Sequence, residues 1–543
     1  MTASEILRVD SLSVRVAGTD KRVVRDVSFS LAAGKTLCVV GESGSGKSVT
    51  SLAMMGLLGE GGLEPAGGRI LFEGQDVLKF SPRQLREMRG ARMSMIFQEP
   101  MTALNPVKKV SEQIDEVLRI HTRLSRRERR DKVLEMLAAV RLPDIRRVYE
   151  SYPHQLSGGQ RQRIAIAMAL ILEPKLLIAD EPTTALDVTT QRQILALISD
   201  LQRQHGTAVL FITHDLGVVS EIADRILVMK SGDVVEAGTR DEILMSPRDA
   251  YTRKLVSSVP SLVPRPTKPL RDEPVLTVRS LDKTYVERRL FGRGHEVKAV
   301  QDVGFTLRRG EILGVVGESG SGKSTVARCV TRLIDPSSGS IVIGDSDIAT
   351  SRANTLRPKR RHIQIVFQDP YRSLNPRLPI ARSLIEGPMN FGVSREEALR
   401  KAEEMLGVVG LPADAMARFP HQFSGGQRQR ICIARALVLE PDILVADEAV
   451  SALDVTVQAQ VLALLETIRE KTGISVLFIT HDLRVAAQIC DSIIVMQKGR
   501  IVEAGPAATV LARPAHDYTR ALIEAAPGRD WDFQNGRPLR AEA

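Results

Sequence analysis

With 543 residues the chain is too long for one hydrophobic core, and two large domains or a few smaller ones are expected. Its make-up, 43% hydrophobic, 26% charged and 4% aromatic, suits a soluble α/β protein, and no run reaches the ~18 uncharged apolar residues of a membrane span. A net charge of +10, mixed over 75 basic and 65 acidic residues, favours small anions or lipid headgroups over a nucleic-acid groove, for which stacking aromatics are scarce.

The N-terminus carries Glu5, Arg8 and Asp10 with no apolar h-region, so no secretory signal is expected and the chain should remain in the cytoplasm. An alternating strand, Leu7 to Val16, comes first. The apolar run Leu37 to Val40 then leads into Gly41-Glu42-Ser43-Gly44-Ser45-Gly46-Lys47-Ser48. Strand, glycine loop and helix start in this order form a phosphate cradle: successive N–H groups and the helix dipole face the anion. The lysine reaches β/γ-phosphates, and the serine hydroxyl can ligate Mg²⁺. Gln98 follows Ile96-Phe97 at a strand exit, where a mobile amide can meet metal or water. Ser125-Arg126-Arg127-Glu128 reads as a capping box opening an amphipathic helix. The basic residues around it read as a solvated face, with a contact to anionic lipid or a membrane partner as the alternative.

Leu156-Ser157-Gly158-Gly159-Gln160-Arg161-Gln162-Arg163 opens another helix on serine and glycine, a second anion-binding start in the same domain. The buried strand Leu176 to Ala179 ends in Asp180-Glu181. Beside a phosphate loop, Asp180 is placed to hold Mg²⁺ and Glu181 to polarise an attacking water. His214 ends the strand Val209 to Ile212, within reach of a γ-phosphate. Short apolar strands alternating with helices predict a mainly parallel sheet covered on both faces.

The pattern is then written again. The second copy holds a strand from Leu276 to Val286, the identical loop Gly317-Glu318-Ser319-Gly320-Ser321-Gly322-Lys323-Ser324 followed by Thr325, and Gln368. It continues with Ser394-Arg395-Glu396-Glu397, Phe423-Ser424-Gly425-Gly426-Gln427, Asp447-Glu448 and His481. Lys47 and Lys323 lie 276 residues apart, Gln98 and Gln368 lie 270 apart, and the pairs Ser157/Ser424, Asp180/Asp447 and His214/His481 all lie 267 apart. The drop from 276 to 270 falls in the Gly59 to Gly68 connection. Boundaries are set at 1–262, a proline-rich linker 263–274, a second domain 275–526 and a polar tail 527–543 in which Trp531 is the one anchor. Twelve extended linker residues span about 37 Å. The four cysteines, Cys38, Cys329, Cys432 and Cys490, are far apart and read as buried thiols.

At these residues the chain resembles the ATP-binding cassette (ABC) ATPases, over nearly all of both halves. The loops match Walker A, Asp180-Glu181 and Asp447-Glu448 match Walker B with its glutamate, and Leu156 to Gln160 matches the signature. Gln98 and Gln368 match the glutamine loop, Ala185-Leu186-Asp187 and Ala452-Leu453-Asp454 the loop after Walker B, and His214 and His481 the histidine switch. The resemblance implies two tandem P-loop NTPase domains, each with a mainly parallel core, an N-terminal antiparallel β part and a helical subdomain. It implies ATP with Mg²⁺ held by Ser48, Gln98 and Asp180 and by Ser324, Gln368 and Asp447. It also implies a head-to-tail pair in which Lys47 faces Ser424-Gly425-Gly426-Gln427 and Lys323 faces Ser157-Gly158-Gly159-Gln160.

Closer still, Gln98-Glu99-Pro100, Leu104-Asn105-Pro106, their twins Gln368-Asp369-Pro370 and Leu374-Asn375-Pro376, and the two Tyr-Thr elements (Tyr251-Thr252, Tyr518-Thr519) resemble the fused ATPases of dipeptide, oligopeptide, nickel or glutathione importers. That likeness implies a peripheral protein on the cytoplasmic side of the bacterial inner membrane, served by two permease subunits and a solute-binding protein. Peptides are the leading solute; nickel, glutathione or opine-type solutes are the alternative, as is a soluble tandem ABC protein acting on ribosomes. Three departures stand out. Tyr285 sits where the family stacks an aromatic on adenine, but the first copy has Val16 there. Glu448-Ala449-Val450 replaces the Glu181-Pro182-Thr183 pattern, and no cysteine is present for the iron–sulfur cluster of some relatives.

Overall fold

The structure, a computed structural model, describes residues 4–97, 103–183, 187–266, 268–287, 295–451 and 453–539. The chain divides into two compact units: one runs to Val259 and takes in the residues from Asp530 onward, the other is Pro260–Arg529.

Strands of the first unit are β1 (Glu5–Val16), β2 (Arg22–Ala32), β3 (Thr36–Val40), β4 (Leu63–Phe72), β5 (Gln75–Asp76), β6 (Met93–Ile96), β7 (Leu176–Asp180), β8 (Ala208–Ile212), β9 (Arg225–Lys230) and β10 (Asp233–Thr239). They make a four-stranded antiparallel sheet, order β2-β1-β4-β5, and a six-stranded sheet, order β10-β9-β3-β8-β7-β6, parallel except at the β9–β10 edge. The second unit repeats this with β11 (Pro274–Glu287), β12 (His295–Arg308), β13 (Ile312–Val316), β14 (Ser338–Ile343), β15 (Ser346–Asp347), β16 (Ile363–Val366), β17 (Ile443–Asp447), β18 (Ser475–Ile479), β19 (Ser492–Gln497) and β20 (Arg500–Pro506). Helices Val110–His121, Arg126–Ala139, Ile145–Glu150 and Gly158–Leu170 lie between β6 and β7 in sequence; Ile380–Asn390, Arg395–Val408 and Gly425–Leu437 lie between β16 and β17.

The unbroken apolar strands follow from burial on both faces. In the second unit Leu313, Val315, Ile443, Val445, Leu477 and Ile479 join the core shared with the antiparallel sheet. Their alternating neighbours Ile312, Val316, Leu444, Ala446, Val476 and Phe478 join the core on the helical side. Side chains alternate along a strand, so a strand between two cores needs apolar residues at every position.

Ser125 and Glu128 close a reciprocal capping box. Ser394 closes only half of one: its hydroxyl accepts from Glu397 N at 3.2 Å, while the Glu397 carboxylate is drawn to Arg400. The longer first-copy connection forms the turn Gly59–Gly61 and extends β4 until Leu63 pairs with Val16.

Two segments are more ordered than their composition suggests. The residues expected to be a loose tail form a small hairpin, Trp531–Asp532 against Arg537–Pro538, which buries Phe533. Trp531 stacks on Phe533 with ring centroids 6.1 Å apart. The linker is tied to the second unit: Arg265 reaches Glu466 at 3.0 Å and also the buried Asp491, and Lys268 reaches Glu466 at 2.9 Å. Burial pushes Glu466 up, but Lys268, Arg265 and Arg469 outweigh it and hold the carboxyl below its ordinary 4.5. A depressed carboxyl contributes stability above its unfolded value that is lost as pH falls through the folded one, so this tie loosens in acid. Arg265→Ala leaves Asp491 with Arg469 and the Ile312 amide. The change is expected to cost about 1–3 kcal/mol and to speed proteolysis within 260–273. A thermal melt with limited digestion reads this, and unchanged cleavage would show that the arginine does not hold the segment.

Candidate ATP site

The site is assembled at the C-terminal ends of the parallel strands. β3 is buried throughout and runs into Gly41, whose φ of +149° and whose Cβ position, 2.1 Å from Met229 O, admit no side chain. Gly317 repeats this over Met496 O at 2.3 Å. Gly44 (φ +78°) faces open space, which leaves the hollow of the loop clear for a phosphate. Gly46 then caps the helix Lys47–Met54, and Gly322 caps Lys323–Val330. Lys47, 6% exposed, donates from Nζ to Gly41 O (2.7 Å), Glu42 O (2.9 Å) and Ser45 Oγ (3.4 Å). Lys323 donates to Gly317 O at 2.7 Å and Glu318 O at 2.8 Å. Each ammonium therefore sits inside its loop, on carbonyls it can exchange for phosphate oxygens.

β7 and β17 bring the acids to the same place. Burial raises Asp180 to about 6, against a hydrogen bond from Ser48 and the charge of Lys47; its Oδ1 is buried with no hydrogen-bond partner. Ser324 Oγ donates to Asp447 Oδ1 at 2.9 Å, and burial raises Asp447 as well. A buried oxygen without a partner, next to a hydroxyl, is the donor set a hard divalent cation takes, so Mg²⁺ fits here. Bound there, it would draw charge from the β- and γ-phosphate oxygens.

Glu181 and Glu448 still donate their amides to β8 and β18, at Ile212 O and Ile479 O, but turn out of the strand with φ of +47° and +50°. A left-handed backbone costs a non-glycine residue about 1–3 kcal/mol and marks a position held for its side-chain direction. His214 Nδ1 lies 3.1 Å from Glu181 Oε1, and His481 Nδ1 lies 3.3 Å from Glu448 Oε2. Gln368 Nε2 donates to the same Oε2 at 2.8 Å. Burial pushes Glu448 up and His481 down, yet their hydrogen bond and mutual charge win: the carboxyl is held below its ordinary value and the imidazole above. Each histidine, expected within reach of a γ-phosphate, lies beside the glutamate of its own half. Gln98, the pair Ala185-Leu186 and Ala452 lie outside the described residues.

The signature helices open with reciprocal caps: Ser157 Oγ accepts from Gln160 N (3.3 Å) and Gln160 Oε1 from Ser157 N (3.0 Å), repeated by Ser424 and Gln427 at the same distances. A Cβ on Gly426 would meet Val457 at 2.2 Å, whereas Gly158 and Gly425 face open space. Tyr285 is 41% exposed with Lys283 Nζ 5.3 Å from its ring centroid; Val16 leaves the first unit without that aromatic.

Two contacts escaped the sequence. Tyr251 Oη accepts from Glu42 N at 3.1 Å and Tyr518 Oη from Glu318 N at 3.2 Å, which places the Tyr-Thr helices against the phosphate loops. The available signal was the shared 267-residue offset of the two tyrosines.

Residues 24–184 and 300–451 match the ABC transporter family, and residues 235–291 and 502–540 match the oligopeptide/dipeptide transporter C-terminal region. This chain belongs to the ABC transporter family. It is similar to the glutathione import ATP-binding protein GsiA of Pectobacterium atrosepticum, 46% identical over 97% of this chain and 90% of that protein. The protein of the same name from Escherichia coli strain K12 is 47% identical with the same coverage. Among solved structures, the dimeric post-hydrolysis ATP-binding cassette MJ0796 bound to ADP and Pi aligns with 43% of this chain and 98% of its own, at 29% identity and a TM-score of 0.39. This ABC protein is an ATPase, the energy-coupling subunit of an importer, with two cassette domains in one chain. Membrane permease partners follow from that role, and no helix among the described residues is long and apolar enough to cross a membrane.

Proposed function

We propose that this ABC protein powers the uptake of short peptides, with glutathione, itself a tripeptide, as the first candidate. The observation that carries the solute reading is the likeness, over nearly the full chain, to proteins named for glutathione import, joined to the oligopeptide/dipeptide C-terminal match. The working assembly is one chain with two permease subunits and a solute-binding protein, held peripherally on the cytoplasmic face of the inner membrane. Mg²⁺ is held by Ser48 and Asp180 with Gln98, and by Ser324 and Asp447 with Gln368. Glu181 and Glu448 take a proton from the attacking water, with His214 and His481 orienting them. Each signature start, Ser157 to Gln160 and Ser424 to Gln427, serves the triphosphate held by the other half's loop.

A permease segment would dock in the groove of about 310 Å³ lined by Met55, Leu57, Phe97, Leu104, Val117 and Met168. Phe97 is 42% exposed there, and an apolar partner would cover it.

The experiment is uptake in cells lacking this chain, with labelled glutathione, a labelled dipeptide and nickel offered separately. Peptide uptake is expected to fail, to return with the wild-type chain, and not to return with Glu181→Gln/Glu448→Gln. Unchanged peptide uptake, with the chain recovered on ribosomes and not on membranes, would reverse the reading.

A further inference from the structure

Each half ends in a short helix to which ATP hydrolysis assigns no task, Ala250–Ser257 in the first and Asp517–Ala525 in the second. Both start in the same way. Asp249 Oδ1 accepts from the amides of Tyr251 and Thr252, at 2.8 and 3.4 Å, and His516 Nδ1 accepts from Tyr518 N at 3.1 Å. A glutamate from the preceding strand pins the turn: Glu236 on β10 accepts from Arg248 N and Asp249 N at 2.8 and 3.1 Å. Glu503 on β20 accepts from Ala515 N and His516 N at the same two distances. Thr252 and Thr519 are completely buried beneath. The first turn of each helix is thus fixed to the sheet, and from it one hydroxyl reaches the phosphate loop.

The amide that hydroxyl meets belongs to the first peptide of the loop. In the first unit the Gly41–Glu42 peptide offers its carbonyl to Lys47 Nζ (2.7 Å) and its N–H to Tyr251 Oη (3.1 Å). In the second the Gly317–Glu318 peptide does the same with Lys323 (2.7 Å) and Tyr518 (3.2 Å). It is gripped at both ends just where glycine lets the backbone turn off the strand. A lysine drawn onto phosphate gives up the carbonyl; the tyrosine still holds the amide. The shared feature is the hydroxyl and not the ring's electrostatics, because Lys230 Nζ lies 4.9 Å from the Tyr251 ring while the second copy has the uncharged Gln497 at the equivalent sequence position.

We propose that Tyr251 and Tyr518 are positioning residues for ATP, each holding the first peptide of its own phosphate loop in the shape that receives the triphosphate. The C-terminal helix then belongs to the nucleotide site without touching nucleotide. This rests on the reading that the two loops hold ATP.

The test uses the full chain with Tyr251→Phe and Tyr518→Phe combined, which removes only the hydroxyls. Losing the acceptor of a part-buried amide is expected to raise KM for ATP by ~3–10-fold, with kcat unchanged within about twofold because no reacting atom is touched. Thr252→Val with Thr519→Val serves as the packing control, expected to leave KM alone. A wild-type KM in the phenylalanine pair, or an equal rise in the valine pair, overturns the proposal. If the phenylalanine pair does not fold, fragment-resolved hydrogen exchange on the wild type decides. The Glu42 and Glu318 amides are expected to exchange at least about tenfold more slowly than those of Gly44 and Gly320, and equal rates overturn it. Lys47→Ala with Lys323→Ala, titrated with ADP, tests the loop reading separately: wild-type ADP affinity there removes the loops as the nucleotide site whatever the tyrosines do.

Discussion

Glu181→Gln combined with Glu448→Gln is expected to lower ATP turnover by about 10²–10⁴-fold while ATP binding persists. The substitution keeps the side chain's size and its ability to accept a hydrogen bond from His214 or His481, and removes the carboxylate proposed to take a proton from water. Both glutamates occupy left-handed backbone at a strand end, with side chains only 12% and 17% exposed, so glutamine has little freedom to find another pose. Single variants separate two cases. Independent sites leave about half of the turnover in each single variant; sites that fire only together lose nearly all of it. Steady-state phosphate release with an ATP-binding titration reads both quantities, and a double variant hydrolysing at the wild-type rate would falsify the assignment of either residue as base.

Lys47→Ala combined with Lys323→Ala is expected to weaken ATP binding by one to two powers of ten at each loop, since a charge-assisted hydrogen bond is worth about 1.5–3 kcal/mol. The reason is double. The ammonium is the cation proposed to meet the β/γ-phosphates, and in the structure it holds the Gly41 and Glu42 carbonyls, or those of Gly317 and Glu318. Alanine removes the counter-charge and leaves the loop's carbonyls to rearrange, so hydrolysis should fall together with affinity. Lys→Arg is not expected to rescue, because a planar guanidinium does not reproduce the compact ammonium that bonds both loop carbonyls at once. Nucleotide titration of the folded double variant with unchanged affinity would contradict this.

The parts of the site that were legible in the chain are those whose geometry is local. Gly41, Gly46, Gly317 and Gly322 announce the cradle because only glycine tolerates their backbone and close contacts. Ser157 and Ser424 announce a helix start because a serine caps an amide three residues on. The signature's second glycine was legible as a small residue, but the reason at Gly426, a Val457 side chain across its face, was not. Ser394 shows the limit even over a short range: its capping-box spelling is intact, yet Arg400 outcompetes the amide for the Glu397 carboxylate.

What the chain determined by itself was the duplication, the strand–loop–helix cradle, the acids that follow buried strands, and hence the family and an ATPase. Each of these depends on backbone preference, or on a side-chain pattern within a few residues, and a spelling can carry that. Tertiary structure alone decided that each histidine pairs with its own glutamate, that the final hairpin groups with the first unit, and that Arg265 ties the linker down. It also decided that Tyr251, 209 residues from Glu42, closes on the phosphate loop. Those contacts join side chains from distant elements, so they exist only once the sheet has brought the strand ends together, and nothing in the spacing of letters specifies which ends will meet.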